Sequence, residues 1–215
     1  MGTDATAAAR LRAIPSDSLL RATRPPDGKG GFTNAFSPRL VADGWVLPQP
    51  VDSALARGIA NVVPVIVGAT GGEGDGAYAS ARSFARLTSS HGADAYLYLF
   101  TRVGDDSVNR RRGAYHSADI TFTFGRPRPI LASAGRTAYD STLAEAMSDY
   151  WVSFATTGDP NGPPNAGRLS RWPAYDGRTD AYMELGPRVL VGSASRRSAY
   201  DSLDAVGRAR GEVRP

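Results

Sequence analysis

Cysteine is missing from all 215 residues, which excludes disulfides, thiolate nucleophiles and Cys-ligated metals and fits a reducing compartment. Lysine is nearly missing: Lys29 is the only one, so the formal charge of +4 rests on scattered arginines. The clusters Arg110-Arg111-Arg112 and Arg196-Arg197 are short and carry no interleaved aromatics on which bases could stack. They read as solvated loops or helix ends, and no nucleic-acid partner is expected. No apolar run approaches the length of a membrane span, so no membrane partner is expected. The start, Met1-Gly2-Thr3-Asp4-Ala5, lacks the basic then apolar layout of a secretory signal, which makes the cytoplasm the default compartment.

The chain has a hydrophobic fraction of 41% and a charged fraction of 21%, ordinary for a globular protein with a sizeable core. The simplest organisation is one α/β domain over 1–215, with 1–10 and 207–215 expected to be disordered. Helical patterning runs from Ala5 to Ala22 with a break at Pro15-Ser16-Asp17-Ser18. Pro25 to Pro38 predicts an exposed loop, Val41 to Pro48 a turn with a short strand, and Val51 to Gly58 a short helix. The run Val62-Val63-Pro64-Val65-Ile66-Val67 predicts a strand buried on both faces, as in parallel sheets. A helix follows over 77–90, then a second strand, Ala95-Tyr96-Leu97-Tyr98-Leu99-Phe100. The clearest helix spans 141–156, with Leu143, Met147, Trp151 and Phe154 at helical spacing, and stops at Gly158. The tail predicts a hairpin from 182–185 and 188–191 and a last helix from Ala199 to Val206.

Gly68-Ala69-Thr70-Gly71-Gly72-Glu73-Gly74 lies just past the first buried strand, where open α/β sheets place their chemistry. Two readings compete for it. Gly68, Gly71 and Gly74 form a G-x-x-G-x-x-G spacing between strand and helix, the context of a pyrophosphate cradle, with Arg102 after the next strand placed to accept a 2′-phosphate; this predicts an NADP-binding Rossmann-like protein. Against it, Glu73 puts negative charge where the pyrophosphate must approach. In the other reading Glu73 is a catalytic acid. His116 follows the next strand, and acid before histidine, each downstream of its own strand, is the order of an α/β-hydrolase triad. The other histidine, His91, sits at a helix end, where a C-terminal capping role is expected.

The surrounding motifs bear on the choice. Phe36-Ser37-Pro38, Asp43-Gly44 and Leu47-Pro48 precede Val65-Ile66-Val67-Gly68 and Glu73-Gly74. Then come Gly113-Ala114-Tyr115-His116-Ser117-Ala118-Asp119-Ile120 and Phe124-Gly125. The most specific block is Ala146-Met147-Ser148-Asp149-Tyr150-Trp151-Val152-Ser153-Phe154-Ala155, followed by Thr157-Gly158-Asp159-Pro160-Asn161-Gly162-Pro163 and Trp172-Pro173-Ala174-Tyr175-Asp176. From about Leu11 to Val191 this succession resembles the C-terminal half of the type B carboxylesterases, the family that includes the cholinesterases. The resemblance implies the C-terminal half of an α/β-hydrolase fold: mostly parallel strands flanked by helices, in an incomplete sheet. It implies Glu73 as triad acid and His116 as general base, with Asp119 a structural hydrogen-bonding residue, Trp172 closing a packing gap, and no metal or cofactor.

Three departures limit the expected activity. No G-x-S-x-G occurs in the chain; Gly192-Ser193-Ala194-Ser195-Arg196 lacks the second glycine and follows the histidine. No HGGG-type oxyanion loop occurs either. The segment between the acid motif and the next helix is also shorter than in the family. The expectation is a serine-esterase fragment that contributes acid and histidine to a Ser-Glu-His triad and is inactive alone. Small carboxylic esters would be its substrates once an N-terminal half completes it. A complementing polypeptide, or self-association through an exposed sheet edge, is the expected partner. A non-catalytic interaction module of hydrolase descent is the alternative.

Overall fold

The computed structural model describes residues 6–23, 41–105, 107–125, 137–193 and 199–202. The backbone divides into two compact units, Met1–Pro48 and Gln49–Pro215. The expected loop at 25–38, residues 203–206 of the last helix, and the termini 1–5 and 207–215 lie outside the described residues. Residues 199–202 are helical.

In the first unit, helices α1 (Ala7–Arg12) and α2 (Ser16–Thr23) are separated at Pro15, so the chain is helical within the stretch 1–10. The strand expected within 41–48 does not form. The Asp43 carboxylate instead accepts the N–H groups of Trp45, Val46 and Leu47 at 2.9, 2.9 and 3.2 Å. A side chain that satisfies three consecutive donors competes directly with a ladder and bends the chain.

The second unit holds a four-stranded sheet in the order β1 (Val65–Thr70), β2 (Ala95–Phe100), β3 (Ala181–Leu185), β4 (Val189–Ser193). The first three strands are parallel and β4 returns antiparallel as a hairpin. Parallel neighbours need crossovers: α4 (Asp75–Ser90), which follows α3 (Val51–Ala56), joins β1 to β2, and the segment with α5 (Ser107–Arg112), α6 (Ile120–Thr123) and α7 (Ala138–Thr157) joins β2 to β3. The first buried strand is displaced from the expected 62–67 to 65–70. Pro64 has no N–H for a ladder, and Val62 and Val63 are exposed. The strand continues instead through Gly68, where a Cβ would run into the ring of Tyr98.

Helices cover both faces of the sheet, which explains why its strands read as continuous apolar runs rather than alternating ones. Tyr78, Ala81 and Ala85 of α4 pack with Ala69, Ala95 and Leu97. On the other face Leu143, Met147 and Tyr150 of α7 pack with Tyr96, Phe100, Met183 and Leu185. Helix α7 starts at a capping box, with the Asp140 N–H donating to Thr137 Oγ1 and the Thr137 N–H donating to Asp140 Oδ2. It ends at Gly158, in the left-handed region at φ +79°.

Trp172 fills the centre of this second core. It is fully buried, its Nε1–H donates to the Leu97 carbonyl at 3.1 Å, and its rings lie 5.2–6.3 Å from those of Tyr150, Trp151, Tyr96 and Tyr98. A buried ion pair, Arg82 Nε to Asp180 Oδ1 at 2.8 Å, fastens α4 to the approach to β3. The Tyr175 hydroxyl donates to the same carboxylate. No helix among the described residues is long and apolar enough to cross a membrane.

Candidate active site

Strand β1 ends at Thr70 and enters a 3₁₀ turn, Gly71–Glu73, before α4 begins at Asp75. The turn is closed by a Thr-x-x-Glu capping box. Glu73 Oε2 accepts the Thr70 N–H at 2.9 Å and the Thr70 hydroxyl at 3.1 Å. Glu73 Oε1 is left facing His116, whose Nδ1 lies 2.5 Å away.

His116 reaches that position because β2 delivers the chain to the same end of the sheet. After α5 the backbone turns at Gly113 (φ +67°) and again at Ser117 (φ +69°). Between them the Ala114 carbonyl accepts the Gly72 N–H at 2.7 Å. A Cβ on Gly72 would stand 2.6 Å from that carbonyl oxygen, so glycine is what lets the two turns abut. The histidine turn has a second anchor, in which the Tyr98 hydroxyl donates to Asp119 Oδ2 at 2.7 Å. Asp119 is thus the structural hydrogen-bonding residue expected. Its partner ring is fixed in turn against Trp151 and Trp172.

The imidazole is 83% exposed, whereas the Glu73 side chain is 24% exposed. Burial pushes the Glu73 carboxyl up, but the hydrogen bonds from His116 and from the Thr70 N–H and hydroxyl outweigh it, and the group sits below its ordinary value. His116 is raised, chiefly by its hydrogen bond to Glu73 and by that carboxylate's charge, with Asp119 adding to the field. Burial and the Asp119 carboxylate push the Tyr98 hydroxyl far up, so it remains a donor. Such a pair has one charged oxygen on Nδ1 and the opposite nitrogen, Nε2, open for a proton.

The structure brings together the two residues singled out from sequence, Glu73 and His116. His91 is placed elsewhere, at the C-cap of α4, the opposite end of that helix from Glu73. There its N–H bonds to Thr88 and Ser89 carbonyls and its ring packs on Gly58. Thr70, Gly72 and Tyr98 were not singled out as site residues. The Thr-x-x-Glu spacing is a local signature for the first, whereas the other two act across the fold. Arg102 is engaged with Asp140 at 2.6 Å and with Asp105. Among the described residues no cluster of three or more His, Asp or Glu side chains converges as a metal site would require.

Residues 76–202 match the family model described as the carboxylesterase family. The chain belongs to the carboxylesterase family. That match contains His116 and begins just after Glu73. Among curated relatives, bovine bile salt-activated lipase is 33% identical over 98 residues, 45% of this chain and 16% of the lipase. Carboxylesterase 5A of Canis lupus familiaris is 34% identical over 114 residues, 50% of this chain and 19% of that protein. The carboxylesterase EST55 of Geobacillus stearothermophilus superposes with a TM-score of 0.64 over 92% of this chain and 49% of its own, at 23% identity. That likeness shows the fold, the mixed, unclosed sheet of an α/β-hydrolase. The chain spans about half of this solved carboxylesterase and under a fifth of the two curated ones.

Proposed function

We propose that the chain supplies the acid and the general base of a serine-type carboxylic ester hydrolase. One observation carries the reading: Glu73 Oε1 lies 2.5 Å from His116 Nδ1 in a chain of the carboxylesterase family. In the assembled enzyme, His116 Nε2 takes the proton of a serine hydroxyl as the serine oxygen bonds to the ester carbonyl carbon. It then returns that proton to the departing alcohol. Water repeats the sequence on the acyl-serine. Glu73 stays ionised throughout, holding the Nδ1–H tautomer and stabilising the imidazolium. Serine and oxyanion donors come from outside this sequence, which contains no G-x-S-x-G. A general base alone contributes on the order of 10²–10⁴-fold, so the isolated chain is inactive toward simple aryl and alkyl esters.

The partner that completes the site is a polypeptide bearing the serine, and it pairs with the free edge of β1. Among the described residues that strand is terminal in the sheet, and it leads straight into the Glu73 turn. Open strand edges recruit further strands. Co-expression with an N-terminal half that carries the serine tests this reading. Ester hydrolysis that appears only in the pair and disappears in His116→Ala is the expected result. Hydrolysis by the single chain, or a pair indifferent to His116, refutes it.

A further inference from the structure

Glu73 has two carboxylate oxygens and they are used differently. Among the described residues Oε1 meets His116 Nδ1, while Oε2 receives both donors of one residue, the N–H and the hydroxyl of Thr70. Thr70 is the last residue of β1, is 3% exposed, and stands in register with Phe100 of β2. Its backbone direction is therefore fixed by the sheet, and its β-branched side chain is stiff at χ1. The turn's backbone is held by the Gly72 N–H on the Ala114 carbonyl, but Gly72 and Gly74 flank Glu73 without side chains to pack on its carboxylate, and Gly74 sits at φ +83°.

We infer that Thr70 is a positioning residue for the acid–base pair: its paired donors clamp Oε2 and thereby present Oε1, and no other acceptor of Glu73, to the imidazole. The inference rests on reading Glu73 and His116 as acid and base. Two donors from one rigid residue locate Oε2 more closely than a single hydrogen bond does, and with Oε1 at His116 Nδ1 this sets the orientation of the carboxylate. With the hydroxyl gone, the carboxylate swings about the remaining N–H bond and shares its oxygens between the imidazole and water. Nδ1 then loses a fixed acceptor, and with it the tautomer that leaves Nε2 free to take a proton.

The test is an NMR titration of the His116 ring in the full chain, comparing the unaltered protein with Thr70→Val, Thr70→Ser and Glu73→Gln. In Thr70→Val the His116 midpoint falls and the downfield Nδ1–H resonance broadens into exchange with water. Thr70→Ser, which keeps the hydroxyl, retains both. A Glu73→Gln midpoint equal to that of the unaltered chain overturns the acid–base pairing itself. A lowered midpoint in Glu73→Gln together with an unchanged midpoint and resonance in Thr70→Val overturns the role of Thr70 alone. If Thr70→Val does not fold, hydrogen exchange of the Thr70 amide decides. Protection in the unaltered chain that is lost in Glu73→Ala supports the clamp, and equal protection in both overturns it.

Discussion

The Gly72 N–H donates to the Ala114 carbonyl at 2.7 Å, and this backbone bond holds the acid turn against the histidine turn. Neither residue carries a functional group. Their contact nevertheless sets the separation of two side chains that do, because Glu73 is one residue from Gly72 and His116 two residues from Ala114. A main-chain bond of this kind constrains geometry more tightly than a pair of flexible side chains meeting at the surface.

Gly72→Ala should therefore injure the site more than its small volume suggests. The added carbon would stand 2.6 Å from the Ala114 oxygen, and relieving such an overlap costs about 1–3 kcal/mol. The expected outcome is a lowered melting temperature together with a His116 titration shifted back toward that of a free imidazole. Gly74→Ala is a control that should leave the Ala114 contact intact, since among the described residues no atom beyond its own chain neighbours lies within 4 Å of a Cβ placed there, although its positive φ adds strain.

The pH dependence of stability follows from two opposite shifts. His116 is raised above 6.5 in the folded chain, so its contribution is complete below 6.5 and is lost as pH rises through the raised value. Glu73 is lowered below 4.5, so its contribution is complete above 4.5 and is lost as pH falls through the lowered value. Both are present together between about 4.5 and 6.5, and urea unfolding should show the largest gap between the unaltered chain and Glu73→Gln in that window. Catalysis in a reconstituted pair runs the other way. The base must be neutral, so kcat/KM should climb as pH passes the raised midpoint of His116.

Tyr98→Phe removes the donor that anchors Asp119 while keeping the ring between Trp151 and Trp172. The expected loss is about 1.5–3 kcal/mol, the size of a hydrogen bond to a charged group. Because Asp119 contributes to the field at His116, Asp119→Asn should in addition lower the His116 midpoint. Chemical denaturation and the ring titration measure the two effects separately.

Arg82→Met leaves Asp180 fully buried without its guanidinium, and breaking a buried pair in this way costs about 3–5 kcal/mol. Arg82→Met combined with Asp180→Asn should cost less than the sum of the single changes, since neither partner is then left charged in the core. Additive losses in urea unfolding would show that the two residues are not coupled.

Elements whose signals are local were legible from the residues alone. Strand β2 falls on 95–100 as expected because it is an uninterrupted apolar and aromatic run. Helix α7 begins at Ala138 rather than 141 because Thr137 and Asp140 form its capping box ahead of the apolar stripe. The apolar run at 62–67 misled by three residues: its first valines are exposed, and the strand passes instead through a glycine that only the Tyr98 ring explains. At 41–48 a single carboxylate overrode strand propensity. In the site, the order of Glu73 and His116 was readable because each follows its own strand. The Gly72–Ala114 bond and the Tyr98–Asp119 anchor were not, because they join residues that only the parallel register brings together.

The pairing of the strands also bears on how the second unit assembles. Val65 meets Ala95 across one short crossover, so β1, α4 and β2 can close on each other with little loss of chain entropy. Tyr98 meets Met183 only after α5, α6 and α7 have been passed. Long-range pairings of this kind slow folding. Refolding should accordingly proceed in two stages, with amides of β1 and β2 gaining protection in pulse-labelling experiments before those of β3 and β4. The Glu73 turn and its Thr70 clamp would then be in place early, waiting for the histidine turn to arrive.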